Sequence, residues 1–133
     1  MSDIKNTLKG AFVTQLTTFN DELVKLFPEE KDFRIFKSAV NLLKNTPFGD
    51  GNSKIYSIFI NYIEPYREKI LVKDESFFLE NEYDNVVQAN SKDLSNIIIK
   101  LKGLWRGLSD ATKDSIWGYL CLMIQISNKI ESI

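Results

Sequence analysis

Apolar residues recur along this chain at helical spacing. In the first segment they stand at Leu8, Phe12, Leu16, Phe19, Leu23 and Leu26, and steps of three or four keep them on one face of a helix. Ser2 or Asp3 is placed to cap its start, because a short side-chain oxygen accepts from an orphan amide there. Pro28 stops it, since the residue before a proline is pushed out of helical geometry. A second helix starts near Glu29-Glu30, whose charges suit the positive end of a helix dipole. Its stripe is Phe33, Phe36, Val40 and Leu43, and it ends at Asn45-Thr46-Pro47. Phe48-Gly49-Asp50-Gly51-Asn52 is the one turn-rich cluster of the chain. Ser53 is the predicted cap of a third helix with the stripe Ile55 or Tyr56, Phe59, Tyr62 or Ile63, and Tyr66. Pro65 either kinks that helix or opens a separate one running to about Val72.

Residues 67–90 break the pattern. Their apolar residues come in short bursts, Phe77-Phe78-Leu79, Tyr83 and Val86-Val87, which reads as one or two short helices and a loop, with Asp74 as a cap. A longer helix follows from about Ser91 to Gly107, with Leu94, Ile97 or Ile98, Leu101, Trp105 and Leu108 on one face. Ile97-Ile98-Ile99 is β-branched, but no alternation or partner run accompanies it, so helix is preferred to strand. Ser109-Asp110 restarts a helix in which nearly every position from Ile116 to Ile126 is apolar. A helix apolar on all sides needs cover on all sides, so this element is expected at the centre of a bundle or at an interface with another chain. The chain reads as an all-α, single-domain bundle of five to seven helices spanning residues 1–133. Its length is that of one domain with one core.

Composition excludes more chemistry than it selects. There is no histidine, which removes imidazole acid–base catalysis, Ser-His and Cys-His nucleophiles and imidazole metal ligation. One cysteine permits no internal disulfide and no Cys-rich zinc site, and Cys121 inside an apolar run reads as a small buried hydrophobe. Basic and acidic residues number 17 and 18, a net charge of -1, so no overall field draws the chain to nucleic acid or anionic lipid. The N-terminus lacks the basic-then-apolar pattern of a signal peptide, no Asn-x-Ser/Thr sequon is usable, and no run reaches the ~20 apolar residues of a membrane span. The expectation is a protein that is not secreted and not inserted in a membrane, in a reducing intracellular compartment.

Each local candidate for chemistry has a plain structural explanation. Asp74, Glu75, Glu80, Glu82 and Asp84 form an acidic cluster without EF-hand spacing and read as a solvated face. Gly49-Asp50-Gly51-Asn52-Ser53-Lys54 lacks the spacing of a phosphate loop and reads as a turn between helices. Lys100, Lys102 and Arg106 offer a basic helix flank, with Lys102 and Arg106 four apart, for an accessory nucleic-acid contact. Glu64 and Glu68 are a carboxylate pair available to an enzyme, or simply an exposed flank. Trp105 and Trp117 fall on helical stripes and are expected in the core. Phe77 and Phe78 are adjacent, and neighbours point apart on a helix, so one layer does not easily bury both. Phe77, Phe78, Tyr83 and Trp117 are therefore the candidate partner-binding residues, exposed aromatics being common anchors of protein interfaces.

Two resemblances add to this reading. Leu104-Trp105, Leu108-Ser109, Thr112-Lys113 and Ile116-Trp117-Gly118-Tyr119-Leu120 form one set of signals. Phe19-Asn20, Leu23 and Phe27-Pro28 form a second, and Asp74-Glu75-x-Phe77-Phe78-Leu79 a third. Together these resemble small helical proteins of unassigned activity encoded by nucleocytoplasmic large DNA viruses, and the Lys/Asn/Ile-rich usage is similar to that of AT-rich viral genomes. The resemblance implies a viral origin and a setting in the virion or the infected cell's cytoplasm, with no cofactor. Trp117-Gly118 within an apolar helix also resembles viral apoptosis-regulator bundles, but Ile116 and Tyr119 stand where that family has Asn and Arg. The expected function is a non-enzymatic structural or adaptor protein that binds other proteins or itself. The alternatives are the nucleic-acid module, the apoptosis-regulator-like bundle and a carboxylate enzyme.

Overall fold

The computed structural model describes residues 2–45, 50–79 and 92–133, and among them it is helical with no strand. Helix α1 runs Ser2–Leu26 and buries Phe12, Val13, Leu16, Phe19 and Leu23, so its predicted stripe forms one edge of the core. Because Ser2 is already helical, neither it nor Asp3 is the cap; Asp3 places its charge in the first turn instead. Leu26, at the far end of the stripe, stays 46% exposed.

Helix α2, Lys31–Lys44, buries Phe33, Phe36 and Val40. Glu30 is its N-cap but makes no side-chain bond to the helix start. The Glu30 carboxylate turns instead to Lys100 Nζ at 2.8 Å, and Asp32 meets the same ammonium at 3.5 Å, which pins a later helix across the start of α2. Asn20 of α1, almost wholly buried, donates from Nδ2 to the Phe33 carbonyl at 2.9 Å and fixes α2 against α1.

Helix α3 spans Gly51–Ile63. Its cap is Asp50, three residues before the predicted Ser53: the Asp50 carboxylate accepts from the Ser53 amide at 3.2 Å and from the Ser53 hydroxyl at 2.8 Å. The cap moves because Gly51 must be part of the first turn. A β-carbon there would overlap the Leu43 carbonyl oxygen and lie 2.9 Å from Lys44 Cα, so only glycine lets α3 begin against the end of α2. The choices left open along the stripe resolve as both Ile55 and Tyr56, with Phe59, Ile60 and Ile63 also buried.

Pro65 ends α3 rather than kinking it. It sits in a 3-10 turn, Glu64–Tyr66, from which α4, Arg67–Leu71, departs. The end of α4 is a Schellman motif: the Asp74 amide donates to the Lys69 carbonyl at 2.8 Å and the Lys73 amide to the Ile70 carbonyl at 3.1 Å. Lys73 occupies the left-handed position, φ 57°, where glycine is usual. The short α5, Ser76–Leu79, follows, with the Asp74 carboxylate accepting from the Ser76 amide at 3.0 Å.

Helix α6, Lys92–Leu104, carries the β-branched run as helix, as expected, and continues into a 3-10 turn, Trp105–Gly107. Ser109 caps α7, Asp110–Glu131, accepting from the Thr112 amide at 3.1 Å. Ile116, Trp117, Leu120, Met123, Ile124, Ser127 and Ile130 of α7 are buried. Of the two placements expected for this helix, central or at an interface, the bundle by itself does not supply cover on every side. Helix α7 packs mainly on α1 and α4, and Ala111, Asp114, Ser115, Gly118, Leu122, Gln125 and Lys129 form an open stripe.

Two core changes test this arrangement. Leu120→Ala removes a fully buried side chain from α7 and is expected to cost about 2–5 kcal/mol in urea unfolding. Gly51→Ala is expected to cost about 1–3 kcal/mol by overpacking, although alanine is the better helix former, so a stabilised Gly51→Ala protein contradicts the close α2–α3 contact.

Candidate functional site

Phe77, Phe78 and Trp117, three of the four partner-binding residues read from the sequence, converge on one place, and that place is interior. Phe77 and Phe78 of α5 are 0% and 1% exposed, Trp105 is 0% and Trp117 is 4%. The Phe78 ring stacks on Trp105 with centroids 4.0 Å apart and planes 11° from parallel, and meets Trp117 edge-on at 5.2 Å. Phe77 packs edge-on against Phe78 at 4.9 Å and meets Tyr66 at a tilt, 5.5 Å between centroids. The expectation that adjacent phenylalanines are not both buried is thereby corrected. Helix α5 is a single turn wedged among neighbours on two sides: Phe78 points to α6 and α7, and Phe77 to the turn before α4. In this fold Phe77, Phe78 and Trp117 are buried in the cluster that holds α5 down. Tyr83 lies outside the described residues.

A polar latch closes over this cluster. Glu75 accepts from Trp105 Nε1 at 2.6 Å and from Lys113 Nζ at 3.2 Å, and the Lys113 ammonium lies 5.3 Å from the centre of the Trp105 ring. The indole N–H, which burial would otherwise leave unsatisfied, thus has a charged acceptor. The hydrogen bond from Trp105, aided by that from Lys113, holds the Glu75 carboxyl below its ordinary value.

A second polar chain runs inward where α3, α4 and α7 meet. The buried hydroxyls of Tyr56 and Ser127 are 3.0 Å apart. Ser127 also donates to Glu131 Oε2 at 3.1 Å, and Arg67 binds the same oxygen at 3.1 Å while also pairing with Glu64. Burial raises the Tyr56 phenol above its ordinary range. Ser127 has no exposed surface, so this chain joins helices through the interior and reaches solvent at Glu131. Sequence reasoning missed it, because Tyr56 and Ser127 are 71 residues apart and neither stands in a motif. Glu64 is engaged by Arg67, and Pro65 puts it in a different element from Glu68.

The basic flank is not assembled. Lys100 is bound by Glu30 and Asp32, Lys102 is only 9% exposed, and Arg106 is exposed beyond the end of α6. The three side chains do not share one solvent-facing strip. Asp50 and Ser53 of the glycine-rich turn bind each other in the cap. Among the described residues no group of three or more acidic or cysteine side chains is placed to hold a metal ion, and no helix is long and apolar enough to cross a membrane. Glu80, Glu82 and Asp84 of the acidic cluster lie outside the described residues.

The chain matches no known family, no curated protein and no solved structure.

The surface shows what the stripes concealed. At the end of α4, Leu71 is 40% exposed and Val72 73%; on α7, Leu122 is 39% exposed. The two elements touch there, with Cys121 Sγ 3.3 Å from the Ile70 carbonyl. Burial raises the Cys121 thiol above its ordinary value, so it stays a thiol at neutral pH. Further apolar side chains, Ile35 and Leu42, stand out from α2. At α4 and α7 the exposed apolar side chains stand on two elements that pack together.

The Glu75 latch carries a pH dependence with a defined sign. A carboxyl held below its ordinary 4.5 contributes stability that is present above that pH and lost as pH falls through the lower folded value. Glu75→Gln removes this contribution. In thermal melts the variant is expected to lose less of its melting temperature than the wild type between about pH 5 and pH 3; parallel curves exclude the latch.

Proposed function

We propose that this chain is a non-enzymatic protein-interaction module, structural or adaptor in role, whose contact surface is the strip formed by the end of α4 and the outer face of α7. The observation that carries the reading is the exposure of Val72, at 73%, next to Leu71 at the end of α4, on an element that packs against α7, where Leu122 is exposed as well. Apolar side chains left in water along a strip shared by two elements are a typical interface feature. The interior supports the same reading from the other side. The aromatic cluster and both polar chains are spent on holding short helices in place, which makes a rigid support for a surface. A setting in a large DNA virus, in the virion or the infected cell's cytoplasm, belongs to this proposal on the strength of the sequence resemblance.

Site-specific photo-crosslinking in the native source tests it. A benzophenone side chain placed at Val72 or Leu122 is expected to give protein adducts that the same group at Lys54, an exposed position on α3, does not. Absence of adducts at both strip positions, or equal adducts at Lys54, overturns the reading.

A further inference from the structure

We propose that a niche between α1 and α2 is a binding site for one structural water molecule, held by the side-chain oxygen of Asn20. The inference stands apart from the interaction-module reading, because the niche lies between two helices that take no part in that surface.

Asn20 is 1% exposed and follows Phe19 on the buried side of α1. The two ends of its amide have different needs. Nδ2 donates to the Phe33 carbonyl at 2.9 Å. A carbonyl only accepts, so the nitrogen is the end that faces it, and the orientation of the amide is fixed. Oδ1 is thereby turned the other way. It has no exposed surface, and no donor among the described residues reaches it. An acceptor buried without a donor gives up its hydration for nothing in return. Buried polar groups in folded proteins are ordinarily satisfied, and ordered water serves where no protein group does.

A cavity lies at this residue. Its volume is about 10 Å³, close to the room one water molecule needs. Thr17 and Asn20, three residues apart on α1, form one wall, and Phe36, Lys37, Val40 and Asn41 of α2 form the other. These walls carry the partners a water uses. Asn20 Oδ1 accepts one of its hydrogens. The Thr17 hydroxyl gives its own proton to the Val13 carbonyl at 2.9 Å, so its oxygen keeps lone pairs to accept the second. Lys37 and Asn41, both exposed, bring donors for the water oxygen at the rim.

Size and charge select water over other ligands. Nothing larger fits. A cation would meet the Lys37 ammonium. An anion would meet Asn20 Oδ1, itself an acceptor, and the Lys37 charge is already matched by Asp21 at 3.1 Å. A small neutral molecule that both donates and accepts suits the walls. Bound there, it carries the hold of Asn20 on α2 beyond the Phe33 carbonyl, one turn further along that helix.

Room-temperature crystal structures of the protein and of its Asn20→Leu variant, at a resolution that shows ordered solvent, test the inference. In the unaltered protein a water is expected within about 3 Å of Asn20 Oδ1. In Asn20→Leu, which offers no acceptor there, that water is expected to be gone. If Asn20→Leu does not fold, the density beside Oδ1 in the unaltered protein decides alone. A niche without solvent density overturns the inference. So does a protein donor bonded to Oδ1, or a water that keeps its place in Asn20→Leu.

Discussion

The pairing of the first and last helices is the constraint on which the rest of this fold depends. Helices α1 and α7 are the longest elements, and the contact between them is the most extensive in the molecule. Phe19 stacks on Tyr119 with centroids 5.1 Å apart, and the buried stripes of both helices belong to one core. Joining the two ends of the chain closes the bundle. Helices α2 and α3 then pack on α1, and α4 packs on α7. Because α7 meets its neighbours along one side only, its outer face is left as surface.

Within that frame the short elements are held by specific chemistry rather than by helix propensity. A single turn such as α5 does not persist alone in water, because nucleation fixes several residues for one hydrogen bond. Stacking of Phe78 on Trp105 and the bond from the indole to Glu75 offset that cost. The 3-10 turn at Pro65, the left-handed Lys73 and the Asp74 carboxylate set the directions in and out of α4. The same contacts explain why aromatics that look like anchors in the sequence are unavailable: their surface is consumed in docking a helix too short to dock otherwise. Exposed aliphatic side chains stand instead at Leu71 and Val72, at the end of α4, and at Leu122 on α7.

Helix identity and much of the core were legible in the sequence because both follow from local rules. The 3.6-residue period picks out Phe12, Leu16, Phe19 and Leu23, or Phe33, Phe36 and Val40, from spacing alone, and Ser109 and Pro28 mark boundaries by their own stereochemistry. The Asp50 cap was not legible. Placing it requires knowing that Gly51 lies against the backbone of Leu43 and Lys44, a contact between helices. The burial of Phe77 and Phe78 was misjudged for a similar reason. Neighbours on a helix do point apart, which leaves one of a pair outside a single covering layer, but α5 has cover on two sides.

Periodicity, charge balance and the absence of histidine are properties of the linear chain. By themselves they determined an all-helical bundle and removed whole classes of catalysis. Which charges remain available was decided only in three dimensions. Lys100 is neutralised by residues about 70 positions away, and Lys113 and Glu131 are paired with Glu75 and Arg67 while Asp114 and Lys129 stay exposed. Which side of α7 faces water was likewise a tertiary outcome, since a run apolar at nearly every position carries no internal sign of its covered side. Local stereochemistry acts over three or four residues; the partition of side chains between core and surface is settled only when distant helices compete for the same contacts.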